Sequence, residues 1–572
     1  MNKIRPFILA AAVVMSALLA YGLWTLPAPQ DADAEGFSSA RVVKDIEFIS
    51  KEHHSVAHPQ ERARVREYLV ERLRGLGADT VLLFQYDSLV GPRNKHVVYT
   101  FDAVNVLAEF APQTEASSYL MFVAHYDSRY SQPMPKDTVW SYGAADDGYG
   151  VGVTLETLNQ LLESRKDWKQ GVKVLFTDAE EVGMMGMSAM WERDREVFDN
   201  VGLVINVEAR GSYGPALMFE ACPGNAKVLD LYASAARYPY TYSLTTVVYR
   251  FMPNFTDFTI IKDSLPGLNF STIADVNHYH TDLDNFSNIN EKSIQHYGEQ
   301  ILPVAMAYLT SEEYADRDAL RAELDQTNFS IPALGLISFS PAGYKVFCAV
   351  VFLLFLLLFA LEGFRGRLKA LRVFRTSGIV LGSALGVLLL GEAYAWVCAT
   401  IVGAKFKLFG IVQGIPFDNM AMALFVAMVF AGTLLVYWNS RAKAARSAAG
   451  SMRASAAFTA VSSNALNLLY AGLALLFVLS AALLFTLGEN MMFIIPLTCA
   501  VAAIVLWRLT SLKSWLVIAV VLILLHAFSF LYALAMALTI GALGAVAMIA
   551  FIDFMVLIPL SDLYCGIWRA GR

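Results

Sequence analysis

Thiols are scarce where metal chemistry would use them. Of the five cysteines, Cys222, Cys348, Cys398, Cys499 and Cys565, only Cys222 lies in the charged part of the chain. That part closes no internal disulfide and holds no cysteine-ligated metal, so its metal ligands have to be His, Asp or Glu. Cysteine usage is silent on the redox compartment. Positive charge is also in short supply. The net charge is −6 and no basic patch is interleaved with aromatics, which argues against a nucleic-acid binder. Charge of either sign nearly vanishes over residues 344–560, whereas residues 36–330 are dense in Asp, Glu, Lys and Arg.

What fills the gap is apolar sequence. The 572 residues are 56% hydrophobic with a mean hydropathy of +0.47, too apolar for a wholly soluble protein. They are also too many for one ordinary domain of roughly 100–200 residues. Residues 6–26, "PFILAAAVVMSALLAYGLWTL", follow Lys3 and Arg5 and make an apolar stretch of 21 residues. A bilayer span needs about 20 such residues and a signal-peptide core only about 7–15. The stretch reads as an uncleaved anchor, with "ADA" at 32–34 leaving a cleaved signal peptide open. Basic residues before it and "DADAE" after it place the N-terminus inside. Seven further runs, near 344–363, 378–401, 420–438, 467–487, 491–507, 514–534 and 540–560, complete eight spans with both termini inside. The basic loops around Arg365–Arg375, Arg441–Arg453 and Arg508–Lys513, and the tail with Arg569 and Arg572, then all face the cytoplasm. Lys405 and Lys407 are the exceptions.

Between the anchor and these runs, short apolar segments alternate with helical patterns. "NVLAEF", "YLMFVAH", "VKVLFTDAE", "LVINVEA", "ALMFEA" and "LPGLNFS" read as strands. "GVGVTLETLNQLLES", "NAKVLDLYASAAR" and "EKSIQHYGEQILPVAMAYL" read as helices. The alternation predicts an α/β domain, a mixed, largely parallel sheet sandwiched by helices, joined to an all-α multi-span transmembrane domain. The expected boundaries are an anchor and linker at 1–35, the α/β domain at 36–315, a linker at 316–343 and about seven transmembrane helices at 344–572.

In such sheets sites gather beyond the carboxyl ends of the strands. Several carboxylates and imidazoles fall there. "LMFVAHYDSRY" ends a buried-looking strand in His125 and Asp127, whose i, i+2 spacing on a strand would point both to one side. "YGAADDGYGVG" carries Asp146 and Asp147 through a small-residue turn into a helix, where ordinary N-capping is the competing reading. "VLFTDAEEVGMMG" crowds Asp178, Glu180 and Glu181 at a strand end, and adjacent carboxylates repel unless a cation or a shared proton relieves them. "VINVEARG" delivers Glu208, and "NHYHTDLDN" offers His278 and His280. Together they supply N and O ligands of the kind zinc accepts. Two metals bridged by a carboxylate can polarise a carbonyl and activate water, and such chemistry also needs a non-ligand carboxylate to move the proton.

As an ordered set, His125-x-Asp127, Gly-Ala-Ala-Asp146-Asp147-Gly, Glu180-Glu181-x-Gly, Glu208 and Tyr-His280-Thr resemble the motifs of the di-zinc aminopeptidase family. That family includes bacterial leucyl aminopeptidases, aminopeptidase Y and glutamate carboxypeptidase. The likeness covers about residues 40–310. In layout the whole chain is similar to the membrane-bound subgroup that includes the vacuolar membrane protease and the endoplasmic reticulum metallopeptidase. The resemblance implies a zinc-exopeptidase fold and two zinc ions. One ion would be held by His125, Asp146 and Glu208, the other by Asp146, Glu181 and His280, with Asp146 bridging. It implies Glu180 as the general base acting on a bridging water, and Asp127 as the residue orienting the His125 ring. His278 is expected at the surface.

The expected function is therefore a membrane-anchored metallo-exopeptidase, most simply an aminopeptidase acting on peptide substrates. It would sit in the lipid bilayer of a bacterial inner membrane with its catalytic domain in the periplasm. A glutaminyl-cyclase-like transferase, whose relatives usually keep one zinc, is a second reading. A transport or scaffold protein with a binding-only peptidase-like domain is a third, pointed to by Glu392, His526 and Asp553 inside predicted spans. Asp257 in "NFTDF" is a candidate for recognising a substrate amine. Oligomeric state is not legible.

Overall fold

Between residues 39 and 310 the alternating pattern folds, in this computed structural model, into one seven-stranded sheet with helices on both faces. The structure describes residues 4–22, 26–91, 100–113, 116–130, 132–133, 138–250, 254–449 and 454–565. The chain divides into two units, residues 24–330 with 334–341, and residues 1–23, 331–333 and 342–572.

In the first unit the strands are β1 (Thr80–Val90), β2 (Thr100–Phe110), β3 (Tyr119–His125), β6 (Gly171–Thr177), β7 (Val201–Ala209), β8 (Tyr213–Ala221) and β9 (Gly267–Ala274). Two-residue strands β4 (Gln132–Pro133) and β5 (Thr138–Val139) pair separately. The sheet order is β1-β2-β6-β3-β7-β9-β8. Its centre, β6, β3, β7 and β9, is parallel, and antiparallel strands flank it on both sides. Every residue of β6 and β7 is buried, as expected for strands covered on both faces. The helices are α2 (Ser39–Ile49), α3 (Pro59–Gly75), α4 (Gly148–Leu162), α5 (Met185–Arg193), α6 (Ala226–Ala235), α7 (Ser243–Arg250), α8 (Asp257–Ile261) and α9 (Glu291–Thr310). α2, α4 and α9 pack together on one side, while α3 and α5 lean on β1 and β2. The mixed, largely parallel sheet between helices is the architecture predicted. The segment expected as a linker at 316–343 is more structured than that. It holds an antiparallel hairpin, β10 (Thr327–Ile331) with β11 (Gly335–Phe339), and β10 is wholly buried.

His296 on α9 shows how tightly the helix layer is bound to the sheet. Its Nδ1 accepts from the Ala216 N–H of β8 at 3.0 Å and from Gln300 Nε2 at 3.0 Å. Burial lowers its pKa to about 4, against a smaller upward pull from the Tyr238 backbone. An imidazole held neutral in the fold contributes stability above its unfolded pKa of 6.5 that is lost as the pH falls towards 4. Each pH unit in that window removes at most about 1.4 kcal/mol. The melting temperature should fall between pH 7 and pH 5, and His296→Gln should lose less over the same interval. A His296→Gln variant with the wild-type acid sensitivity would contradict this account.

In the second unit, α1 (Arg5–Gly22) packs on α15 (Ser514–Leu538) through a small-residue face whose buried members are Ser16 and Ala20. The other helices are α10 (Pro341–Phe364), α11 (Ala370–Val402), α12 (Asp418–Ala449), α13 (Ala454–Leu487), α14 (Met491–Thr510) and α16 (Leu543–Cys565). Ser514–Cys565 is a 52-residue apolar stretch. As one helix it would run about 78 Å, more than twice a hydrocarbon core of about 30 Å. A 3₁₀ turn at Thr539–Ala542 breaks it into α15 and α16, which pack on each other. α11 and α16 approach so closely that a Cβ on Gly391 would stand 2.6 Å from the Gly544 Cα. The buried Glu392 beside it accepts from the Gly544 N–H at 3.2 Å. His526 is buried and stacks on Phe530, and Asp553 is buried. Lys3, Arg453, Arg569 and Arg572, used in the topology reading, lie outside the described residues.

Candidate metal centre

Parallel neighbours in the sheet put chemically distinct side chains at one level. His125 ends β3 opposite Thr177 at the end of β6. On the other side Val123 pairs with Asn206, so His125 comes level with Glu208 of β7. The turn 143–147 before α4 brings Asp146 to them, and the loop after β9 brings His280. The two oxygens of Asp146 face different rings. Oδ1 lies 3.3 Å from His125 Nε2, and Oδ2 lies 3.3 Å from His280 Nε2. Glu208 Oε2 stands 3.6 Å from His125 Nε2, and Glu181 Oε2 stands 3.0 Å from His280 Nε2. The result is two groups sized for a metal ion, His125–Asp146–Glu208 and Asp146–Glu181–His280, sharing Asp146.

The donor set fits cations. Asp146 Oδ2 and Glu181 Oε1 are buried and find no hydrogen-bond partner among the described residues. Buried polar atoms are normally paired, so such atoms call for a partner of another kind. Three carboxylates converge on two imidazoles, and a fourth, Glu180, lies close by. Burial drives the Glu180 pKa well above the ordinary carboxylate range, with Glu208, Glu181 and Asp257 adding to the rise and His125 opposing it. Hydrogen bonds and charges from the surrounding acids hold both histidines above their usual pKa, although burial alone would lower them. Imidazole nitrogen and carboxylate oxygen are zinc ligands, and the described thiol of this unit, Cys222, is in neither group.

Asp127 differs from its expected part. β3 ends at His125, so the i, i+2 argument does not carry through the turn. It is the Asp127 main-chain carbonyl that meets His125 Nδ1, at 2.9 Å, while the carboxylate lies 3.6 Å away. That carboxylate accepts from the N–H groups of Glu180 at 2.9 Å and Glu181 at 3.3 Å. One residue thus ties two strand ends together. Asp147 caps α4 through Gly150 N and also accepts from His125 N, at 3.2 Å, so capping and site-building coexist in the Asp pair. Asp178 is set apart from Glu180 and Glu181. It is fully buried against Arg62 at 3.2 Å and Tyr126 Oη at 3.0 Å.

His280 carries a Tyr279 ring stacked at 3.6 Å. His278 is not at the surface but half-buried, 2.6 Å from Ser212 Oγ. Asp257 is buried at the start of α8, where one carboxylate oxygen accepts from Thr177 Oγ1 and the other, Oδ1, finds no hydrogen-bond partner among the described residues. Asp284 was missed by sequence reasoning. It accepts from the Ala145 and Asp146 N–H groups and from Ser141 Oγ, and so holds the turn that presents Asp146. Its signal is the "TDLD" stretch directly after His280.

Residues 105–305 match Peptidase family M28. Endoplasmic reticulum metallopeptidase 1 of Mus musculus is 30% identical over 227 residues, which are 39% of this chain and 24% of the mouse protein. The chain therefore spans about a quarter of the length of that curated relative. Two solved structures are similar in fold. One is a glutaminyl cyclase from Porphyromonas gingivalis (TM-score 0.39, 19% identity, covering 47% of this chain and 98% of that one). The other is a Zn-dependent exopeptidase from Parabacteroides distasonis (TM-score 0.38, 18% identity, covering 47% and 98%).

Proposed function

We propose, from the match of residues 105–305 to Peptidase family M28, that this chain is a membrane-anchored di-zinc exopeptidase removing N-terminal residues from peptides. One observation carries the reading. The two oxygens of Asp146 face two different histidines, and each pairing is completed by its own glutamate. His125, Asp146 and Glu208 would hold one zinc, and Asp146, Glu181 and His280 the other. Bound there, zinc supplies a Lewis acid for the scissile carbonyl and lowers the pKa of water.

The chain's own residues do the rest. Glu180 stands beside both groups and belongs to neither, so its carboxylate is left to take a proton from the attacking water and return it to the leaving amine. Its position is held through its own N–H by Asp127. Its buried environment raises its pKa above the ordinary carboxylate range. Asp284 fixes the Asp146 turn, and the Asp127 carbonyl orients His125. A glutaminyl-cyclase-like transferase would use one ion and leave one of the two groups without a purpose.

The apolar helices of the second unit, from Pro341 onward and at Arg5–Gly22, are long enough to cross a bilayer. With the basic loops inside, the catalytic unit lies outside the cytoplasm, in the periplasm of a bacterial inner-membrane protein. The test is hydrolysis of a panel of aminoacyl-anilides by the full chain in detergent, before and after chelation and zinc replacement. Release of the anilide that is lost with zinc and regained with it is the expected result. Zinc-dependent cyclisation of N-terminal glutamine without anilide release would favour the transferase.

A further inference from the structure

Arg129 stands at the metal centre without a part in either ligand group. It follows His125 by four residues, and its Nη1 donates to the Glu181 carbonyl oxygen at 2.5 Å and to Glu181 Oε2 at 3.2 Å. Oε2 is the same oxygen that lies 3.0 Å from His280 Nε2. The electron density that a metal at the Glu181–His280 position would take is already offered to a guanidinium.

The other position is built with the opposite bias. Glu208 Oε1 receives a neutral amide from Asn206 at 3.3 Å, and an anion, the Asp127 carboxylate, lies 3.6 Å from the outer nitrogen of His125. A carboxylate behind a ligating imidazole raises its basicity. A cation on a ligand oxygen does the reverse and repels a second cation as well. The two positions therefore share Asp146 yet sit in different fields.

We infer that Arg129 makes the two positions unequal, so that the Glu181–His280 position holds its ion more weakly than the His125–Glu208 position. The inference rests on the di-zinc reading above. Arg129 is a positioning residue that acts through Glu181. Its clamp on both the carbonyl and the carboxylate of that residue also fixes the side chain, and the two effects predict opposite outcomes when it is removed. Loss of an anchor weakens binding, typically by about 10–100-fold. Loss of a competing cation strengthens it.

The experiment is a stepwise zinc titration of the full chain in detergent against a chromophoric chelator, with bound zinc counted by mass spectrometry. Wild type should fill in two steps at least tenfold apart, and His280→Ala should remove the weaker one. Arg129→Gln should tighten the weaker step at least tenfold and leave the stronger unmoved, a direction that mere damage to the fold does not produce. Arg129→Lys, which keeps the charge, should preserve the separation. A single affinity for both ions in wild type, or an Arg129→Gln step that loosens or stays put, would overturn the inference while leaving the two-ion centre standing. Failure of wild type to bind a second zinc at any concentration would instead remove the di-zinc reading on which it rests.

Discussion

Glu180→Gln should bind zinc as the wild type does and hydrolyse aminoacyl-anilides about 10²–10⁴-fold more slowly, the usual weight of a general base. The substitution keeps the shape of the side chain and the N–H that Asp127 holds. It removes only the ability to accept a proton. Because Glu180 lies outside both ligand groups, the metal count should not change. The apo-protein should in fact become easier to fold, since a carboxylate that burial and three acidic neighbours oppose is replaced by a neutral amide. Turnover and zinc content measured on the same sample decide the matter. Activity within tenfold of wild type would remove Glu180 from the chemistry, and a loss of zinc would make it a ligand instead.

Asp146→Ala should do more damage, because it takes an oxygen from both groups at once. His125→Ala and His280→Ala each strip one group and leave the other's three-residue set short of nothing. Asp146→Ala leaves neither complete, and its turnover should fall below that of Glu180→Gln. Thermal stability separates this from misfolding. Zinc raises the melting temperature of any protein that binds it only when folded, and the wild type should show that rise. Apo Asp146→Ala should melt near or a little below the apo wild type, and it should gain nothing from zinc. Burial alone would raise the pKa of this carboxylate, but hydrogen bonds and charge from His125 and His280 hold it below its usual value. A variant that still takes up two ions would refute the bridging role. One that melts far below the apo wild type would show Asp146 to be needed for the fold itself.

Much of this centre was readable because a parallel sheet is a strong constraint. Once "YLMFVAH", "VKVLFT" and "LVINVEA" are strands of one parallel sheet, the polar residues that end them have to meet. That puts His125 and Glu208 at the ends of β3 and β7, whereas their roles as ligands, and that of Glu180 as base, are what the family resemblance implies. The turn residues were harder. Asp146 and Asp147 are chemically identical neighbours, and only coordinates show that one caps α4 while the other faces two histidines. The sequence reads Asp127 as a side chain orienting a ring, yet the hydrogen bond to His125 comes from its main chain. Its carboxylate, 3.6 Å from the ring, also holds the Glu180 and Glu181 N–H groups. Backbone carbonyls carry no sequence signal. Arg129 and Asp284 come from loops, where distance along the chain says little about distance in space. The hairpin at Thr327–Phe339 was passed over as linker because its alternation spans only five residues a strand, too short to stand out beside the transmembrane runs.

The level pairing of His125 with Thr177 and Glu208 has a further consequence, for quality control during folding. Side chains on a strand alternate between faces, so slipping β3 by a single residue against β7 would send every one of them to the wrong side. Buried apolar residues line both faces of the central strands. A slipped sheet would thus keep much of its hydrophobic burial and pass as folded by compactness or circular dichroism. It would have no metal centre. Zinc uptake by this chain is accordingly a sharper assay of native register than any bulk measure of structure, and a culture starved of zinc would lose the signal that tells the two sheets apart.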